Sequence, residues 1–154
     1  NKAVVIAEQV GKGNTPELRH FNLTTTELNK DLNEGDVLLQ TLFLSVDPYM
    51  RMRMNPDKSY MPPFTVGNPG EGSGVGRVIE SSNNDYKVGD ILTSQKDLSW
   101  PWQEFVKFDA NKVVNFTKIN QVPENLIPHT IGQLGMPGLT AYFGVLERGK
   151  PKEG

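Results

Sequence analysis

The chain has 154 residues, no cysteine, two histidines and a formal net charge of −2. That length supports one domain with a real core, and the missing cysteines exclude disulfides and thiolate metal sites. Charges of both signs are spread along the chain, which excludes the clustered basic footprint of a nucleic-acid binder and a polybasic membrane anchor, and no apolar run reaches the ~18–20 residues of a membrane helix. The first residues, Asn1-Lys2-Ala3-Val4-Val5-Ile6, are too short an apolar run for a signal peptide, and the absent initiator Met points to a trimmed or processed chain. A reduced cytosolic compartment fits the cysteine count.

Eleven prolines and fifteen glycines fall between short apolar runs, the punctuation of a β-rich, turn-rich domain. Residues 2–7 read as a strand, 20–23 as a short second strand, and the polar stretch 24–33 as carrying a helical turn. Asn33-Glu34-Gly35-Asp36 is a turn signal, after which 37–46 reads as a long strand apolar on both faces. Asp47-Pro48 ends it, because proline cannot donate a ladder hydrogen bond. Residues 51–68 have no clear period and read as a long excursion of the kind that carries function. A glycine-rich run, 70–76, leads into a strand over 75–80. A turn at 86–90 precedes a strand at 91–93, and 104–108 and 112–115 read as further strands. Beyond Pro123 the texture becomes helical, with segments at 128–134 and 138–146. Leu139, Tyr142, Phe143 and Leu146 recur there at helical spacing. Short strands followed by a helical tail define a mainly β fold, a small barrel or sandwich with a helix leading elsewhere.

The motifs carry chemistry unevenly. Gly70-Glu71-Gly72-Ser73-Gly74-Val75-Gly76 has neither a G-x-G-x-x-G frame nor a Walker lysine, and it enters a strand rather than a helix. Glycines permitting a tight bend into a barrel strand are the better reading. His20, His129 and Glu71 lack metal-ligand spacing, so no metal is expected. Asn22-Leu23-Thr24 and Asn115-Phe116-Thr117 match the glycosylation sequon by chance. Trp100-Pro101-Trp102-Gln103 either walls an apolar ligand or packs in the core, and packing is the commoner role for such aromatics. In Val46-Asp47-Pro48-Tyr49-Met50-Arg51, a phenol stands at a strand end. It either donates a hydrogen bond to a substrate carbonyl or tucks against the strand below, and the pattern leaves both open.

Four stretches together resemble one family: 45–54 (SVDPYMRMRM), 74–81 (GVGRVIES), 100–103 (WPWQ) and 134–142 (LGMPGLTAY). They are similar to the zinc-independent branch of the medium-chain dehydrogenase/reductase superfamily, in particular the prostaglandin reductase (leukotriene B4 12-hydroxydehydrogenase) and alkenal double-bond reductase group. The resemblance implies a GroES-like, partly open β-barrel over residues 1–124, the substrate-side domain. Residues 125–154 would then be a helical connector toward an absent Rossmann domain of ~150 residues. It implies hydride transfer from NADPH to the β-carbon of an α,β-unsaturated aldehyde or ketone, with no metal. Tyr49 matches the family tyrosine at the mouth of the substrate pocket and is its expected catalytic contact. Pro48 shapes its turn, and Ser99 and Trp100 match the pocket wall. Met136 and Thr140 match positions near the nicotinamide. Ser99 departs from the family, which often has an aromatic residue there. A second family tyrosine facing the enolate would belong to the absent half, so this stretch alone is expected to be inactive. The family implies a cytoplasmic enzyme whose parent is a homodimer, acting on a small molecule and on neither nucleic acid nor membrane. Two alternatives stand beside this reading: a quinone reductase of the same superfamily, and a non-catalytic binding module on the same barrel.

Overall fold

The computed structural model describes residues 1–57, 59–94 and 97–152. Strand β1 (Lys2–Ile6) pairs antiparallel with β2 (Phe21–Thr25), with Ile6 opposite Phe21. The main sheet is built on β3 (Val37–Leu44), which lies between β5 (Gly74–Ser81) and β8 (Phe105–Phe108). β6 (Ile91–Thr93) and β9 (Thr117–Lys118) extend it, giving the order β8-β3-β5-β6-β9. A short pair, β4 (Glu71–Gly72) with β7 (Trp100–Pro101), closes over one end. β8 and β9 remain as edges, so the barrel is partly open and the fold is mainly β, as the sequence pattern implied. Register shifts at Leu38/Leu39 and Thr41/Phe43 curl β3 against β5, the usual effect of bulges on twist.

Two equivalent turns launch β3 and β6. Gly35 and Gly89 adopt φ of 84° and 95°, conformations that favour glycine. The next residue, Asp36 or Asp90, turns its carboxylate back onto a backbone amide: Asn33 N–H donates to Asp36 Oδ2 at 3.0 Å and Lys87 N–H to Asp90 Oδ2 at 2.8 Å. The Gly-Asp signal is thus a turn that satisfies its own donors before the apolar strand begins.

The barrel core gathers Val37, Leu39, Val78, Leu92 and Val106 around Trp100. The Trp100 indole has no exposed surface. It stacks on Phe116 at 5.5 Å, meets Phe108 edge-on at 5.0 Å, and donates from Nε1 to Thr41 Oγ1 at 3.0 Å. The glycine-rich run fits this ring, and by a route other than a bend. None of Gly70, Gly72, Gly74 and Gly76 has positive φ; instead, a Cβ at Gly74 would lie 2.3 Å from the Trp100 ring and one at Gly70 2.3 Å from Trp102. Gly70, Gly74 and Gly76 are there for close approach of the two tryptophans, and Gly72 for that of Met50.

Three expected elements differ. Residues 112–115, read as a strand, fall on the end of helix α2 (Ala110–Val113) and the turn after it, and the chain pairs only afterwards, in β9. The cause is Asp109, whose side chain accepts from Lys112 N–H at 3.0 Å and caps the helix. Residues 26–33 carry no helical turn, and β2 instead runs on to Thr25. The excursion 51–68, of which Lys58 lies outside the described residues, starts inside a helix, α1 (Tyr49–Arg53). Full cover on both faces of β3 holds only at its start: Val37, Leu38 and Leu39 are buried, while Gln40 and Phe43 are exposed.

The tail is helical, as its periodicity indicated: a 3₁₀ segment at Glu124–Ile131, helix α3 (Met136–Tyr142), and a π-helical segment at Phe143–Gly149. Ile127 and Ile131 still pack with Val75, Ile91 and Ile119, so barrel contacts continue into the start of the segment 125–154. Among the described residues from α3 onward none is buried, and Leu139, Tyr142, Phe143 and Leu146 are each more than half exposed. Glu153 and Gly154 of the terminal Pro-Lys-Glu-Gly lie outside the described residues.

Candidate functional site

The end of β3 leads straight into α1, and Pro48 makes the transition. Its φ of −56° and ψ of −33° are already helical, so Pro48 starts the helix just after the strand has ended at Leu44. Met50 and Met54 form the buried side of α1, packed on Ile6, Val10 and Phe64. Tyr49 is half-buried against the same cluster, together with Phe21 and Trp102. Trp102 bridges the aromatics, with ring centroids 6.3 Å from Phe21 and 6.0 Å from Phe64.

The Tyr49 hydroxyl is shielded from solvent yet has no hydrogen-bond partner among the described residues, and the same is true of Trp102 Nε1. Burial pushes the Tyr49 phenol up to about 12; the Asp47 carboxylate adds to the rise, Arg53 opposes it, and Glu71 and Tyr60 contribute further. A phenol in this environment stays protonated throughout the physiological range and is therefore a hydrogen-bond donor awaiting an acceptor. An orphaned donor of this kind costs stability, which is the ordinary signature of a group kept for a ligand.

Arg53, four residues along α1 and on the same face, is almost fully buried. Its Nε donates to the Pro62 carbonyl at 2.9 Å, its guanidinium reaches Glu71 Oε2 at 2.9 Å, and its plane lies 4.1 Å over the Phe64 ring. The Glu71 carboxylate is thereby committed to an ion pair. Among the described residues no group of three or more His, Cys, Asp or Glu could hold a metal ion.

A cleft of about 280 Å³ opens beside this turn. Phe43, Ser45 and Asp47 line one side, and Ile131, Gly132 and Pro137 line the other. Ser45 is fixed by the Ser73 amide, which donates to its Oγ at 2.9 Å. The turn that carries Pro48 and Tyr49 and the first turn of α3 thus share one cleft. Met136, next to Pro137, is exposed, and so is Thr140, whose Oγ1 donates to the Met136 carbonyl at 2.8 Å.

The remaining expected site residues fall elsewhere. Ser99 lines a separate polar groove with Glu71, Gln103, Asp109 and Lys112, and accepts a hydrogen bond from Lys112 Nζ at 2.9 Å. Trp100, expected in the pocket wall, is buried in the barrel core and presents no surface to a ligand in this chain. The tryptophan beside Tyr49 is Trp102. Sequence reasoning did not single out Arg53 or its pairing with Glu71. The one available signal was an arginine at helical spacing from Tyr49, too common a pattern to single out.

The partly open barrel is the fold of an oxidoreductase N-terminal domain. A family model described as the N-terminal domain of oxidoreductase matches residues 4–116, and the chain belongs to this family, within the zinc-independent medium-chain dehydrogenase/reductase superfamily. Among particular relatives, it is 38% identical over its whole length to the NADPH-dependent curcumin reductase of Escherichia coli, covering 41% of that protein. It is also 38% identical over 86% of its length to prostaglandin reductase 1 of Rattus norvegicus, covering 36% of it. The structure of CurA from Vibrio vulnificus in complex with NADPH superposes with a TM-score of 0.82 at 30% identity, over all of this chain and 42% of that one. The chain therefore spans about two fifths of the length of the relatives it matches.

Proposed function

We propose that this chain is the substrate-side domain of an NADPH-dependent reductase of α,β-unsaturated aldehydes and ketones, and that Tyr49 is its hydrogen-bond donor to the substrate carbonyl. The observation that carries this reading is the shielded, protonated and unpartnered Tyr49 hydroxyl, on the residue two beyond the Asp47 that lines the cleft. NADPH supplies the hydride, which adds to the β-carbon and leaves negative charge on the carbonyl oxygen. A proton from solvent then completes the saturated product at the α-carbon. The Tyr49 O–H stabilises the developing oxyanion without losing its own proton, since its high pKa disfavours the phenolate.

The residues present fit a nicotinamide. The cleft walls at Val46, Ile131, Gly132 and Pro137 are small or apolar, as a flat heteroaromatic ring requires, and Met136 and Thr140 stand on the adjoining helix. The apolar stripe of Leu139, Tyr142, Phe143 and Leu146 is then the face on which a cofactor domain would pack, an exposed patch of the kind that marks an interface. Residues 125–154 act as the connector, with a cytoplasmic homodimer as the parent form.

The test is NADPH oxidation by the full-length protein with 2-hexenal, alongside Tyr49→Phe. The reading expects consumption that requires the conjugated double bond and survives EDTA. Removing one oxyanion donor is expected to cut kcat by about 10²-fold. Unchanged turnover by Tyr49→Phe refutes the assigned role, and activity confined to quinones refutes the substrate class.

A further inference from the structure

The mechanism above uses Tyr49 but leaves unexplained a buried arginine at the other end of the same helix. Arg53 is 7% exposed, and it is held from three directions: the Pro62 carbonyl on Nε, the Glu71 carboxylate on its guanidinium, and the Phe64 ring beneath its plane. The backbone closes the same loop, since Phe64 N–H donates to the Arg53 carbonyl at 2.7 Å. Burying a guanidinium is costly, and a pair so enclosed contributes little net stability compared with apolar residues of the same volume. Its position supplies another reason. Arg53 ends the five-residue helix that Tyr49 begins, and the two share a face.

We propose that Arg53, clamped by Glu71 and Pro62, is the positioning residue for Tyr49: it anchors the far end of α1 so that the phenol keeps a fixed place, and it presents a positive charge that strengthens the phenol as a donor. The inference builds on the reading of Tyr49 as the carbonyl donor, but its test does not depend on turnover.

The charges acting on the phenol come from several elements. Asp47 lies in the preceding turn, Glu71 is on β4, Tyr60 is on the following loop, and Arg53 is the one positive group among them. Loss of Arg53 therefore makes the phenol less acidic, and loss of Glu71 makes it more acidic. A purely structural role has a different signature. Burial is the first cause of the raised Tyr49 pKa, so loosening α1 hydrates the phenol and makes it more acidic whichever partner is removed.

The experiment places 3,5-difluorotyrosine, whose phenol titrates well below that of tyrosine, at position 49 of the full-length protein and follows it by ¹⁹F NMR. Arg53→Gln, which still offers a donor to the Pro62 carbonyl, is expected to raise the midpoint by about half a unit or more, and Glu71→Gln to lower it. Midpoints that fall in both variants, or that do not move, overturn the proposal. If Arg53→Gln loses its circular-dichroism signal, the double variant Arg53→Gln/Glu71→Gln, which leaves no buried charge unpaired, decides: Arg53 acts on the phenol more strongly than Glu71, so a raised midpoint supports the charge coupling and a lowered or unchanged one refutes it. Should the midpoints move as expected while Tyr49→Phe turns over normally, the clamp stands and the catalytic reading of Tyr49 falls.

Discussion

The two tryptophans of Trp100-Pro101-Trp102 invite a direct comparison, because the structure gives them opposite environments. Replacing Trp100 by Phe removes the donor to Thr41 Oγ1, worth ~1 kcal/mol. It also removes about two carbons' worth of fully buried ring at ~0.8 kcal/mol each, for a total near ~2.5 kcal/mol. Replacing Trp102 by Phe removes a similar piece of a ring that is only half-buried. It also deletes an Nε1–H that is shielded and unpartnered, and removing such a group returns ~1–2 kcal/mol, so the net cost is near zero. The difference of ~2.5 kcal/mol corresponds to roughly 5–10 °C in Tm for a domain of this size. Urea unfolding followed by circular dichroism measures both variants against wild type. Equal costs, or a larger cost at Trp102, would refute the assignment of Trp100 to the core and of Trp102 to the site.

Two further perturbations test the frame around the site. Burial alone would raise the Asp90 carboxyl, but Lys118 Nζ at 2.7 Å, the Lys87 amide and Asn120 Nδ2 outweigh it and hold the pKa at about 2, against 3.8 ordinarily. The stabilisation is therefore present above pH ~4 and lost as pH falls toward 2. The shift corresponds to ~2.4 kcal/mol, of which about 1 kcal/mol remains once screening at the partly exposed Lys118 is allowed for. Asp90→Asn should show that deficit in urea unfolding at pH 7, and the gap to wild type should close near pH 2; a gap that persists there would be inconsistent with the ion pair as its source. Gly74→Ala forces a methyl to within 2.3 Å of a ring that has no free space to move into, and should cost ~1–3 kcal/mol by overpacking. A neutral result in thermal unfolding would show that Trp100 is less tightly held than its contacts indicate.

Much of the barrel is legible along the chain because its signals are local. Gly35-Asp36 and Gly89-Asp90 announce turns through backbone chemistry that needs no distant partner. The strands after them are runs of apolar residues that have no helical period. The failures have equally physical causes. Val113 and Val114 favour a strand by propensity, but one cap at Asp109 outweighs two β-branched residues over so short a segment. Trp100 and Trp102 are two residues apart, a spacing that on a regular strand points both to one face. β7, however, ends at Pro101 and the chain bends at Trp102, so one indole enters the barrel core and the other joins α1.

The site divides in the same way. Asp47-Pro48-Tyr49 marks where the phenol stands, since a proline that begins a helix just after a strand fixes a local geometry. What makes that phenol a donor is not local. Its burial comes from Ile6, Val10 and Phe64, and the charges that act on it come from as far along the chain as Glu71, 18 residues beyond Arg53. The same tyrosine after the same proline, without the Arg53–Glu71 pair and the aromatic cluster, would be a hydrated phenol of ordinary acidity, already bonded to water and with little left to offer a substrate oxygen. The motif therefore specifies a position, and the long-range contacts give that position its chemistry. That is why substitutions at Arg53 and Glu71, neither of which the motif singles out, are expected to move the titration of Tyr49 in opposite directions.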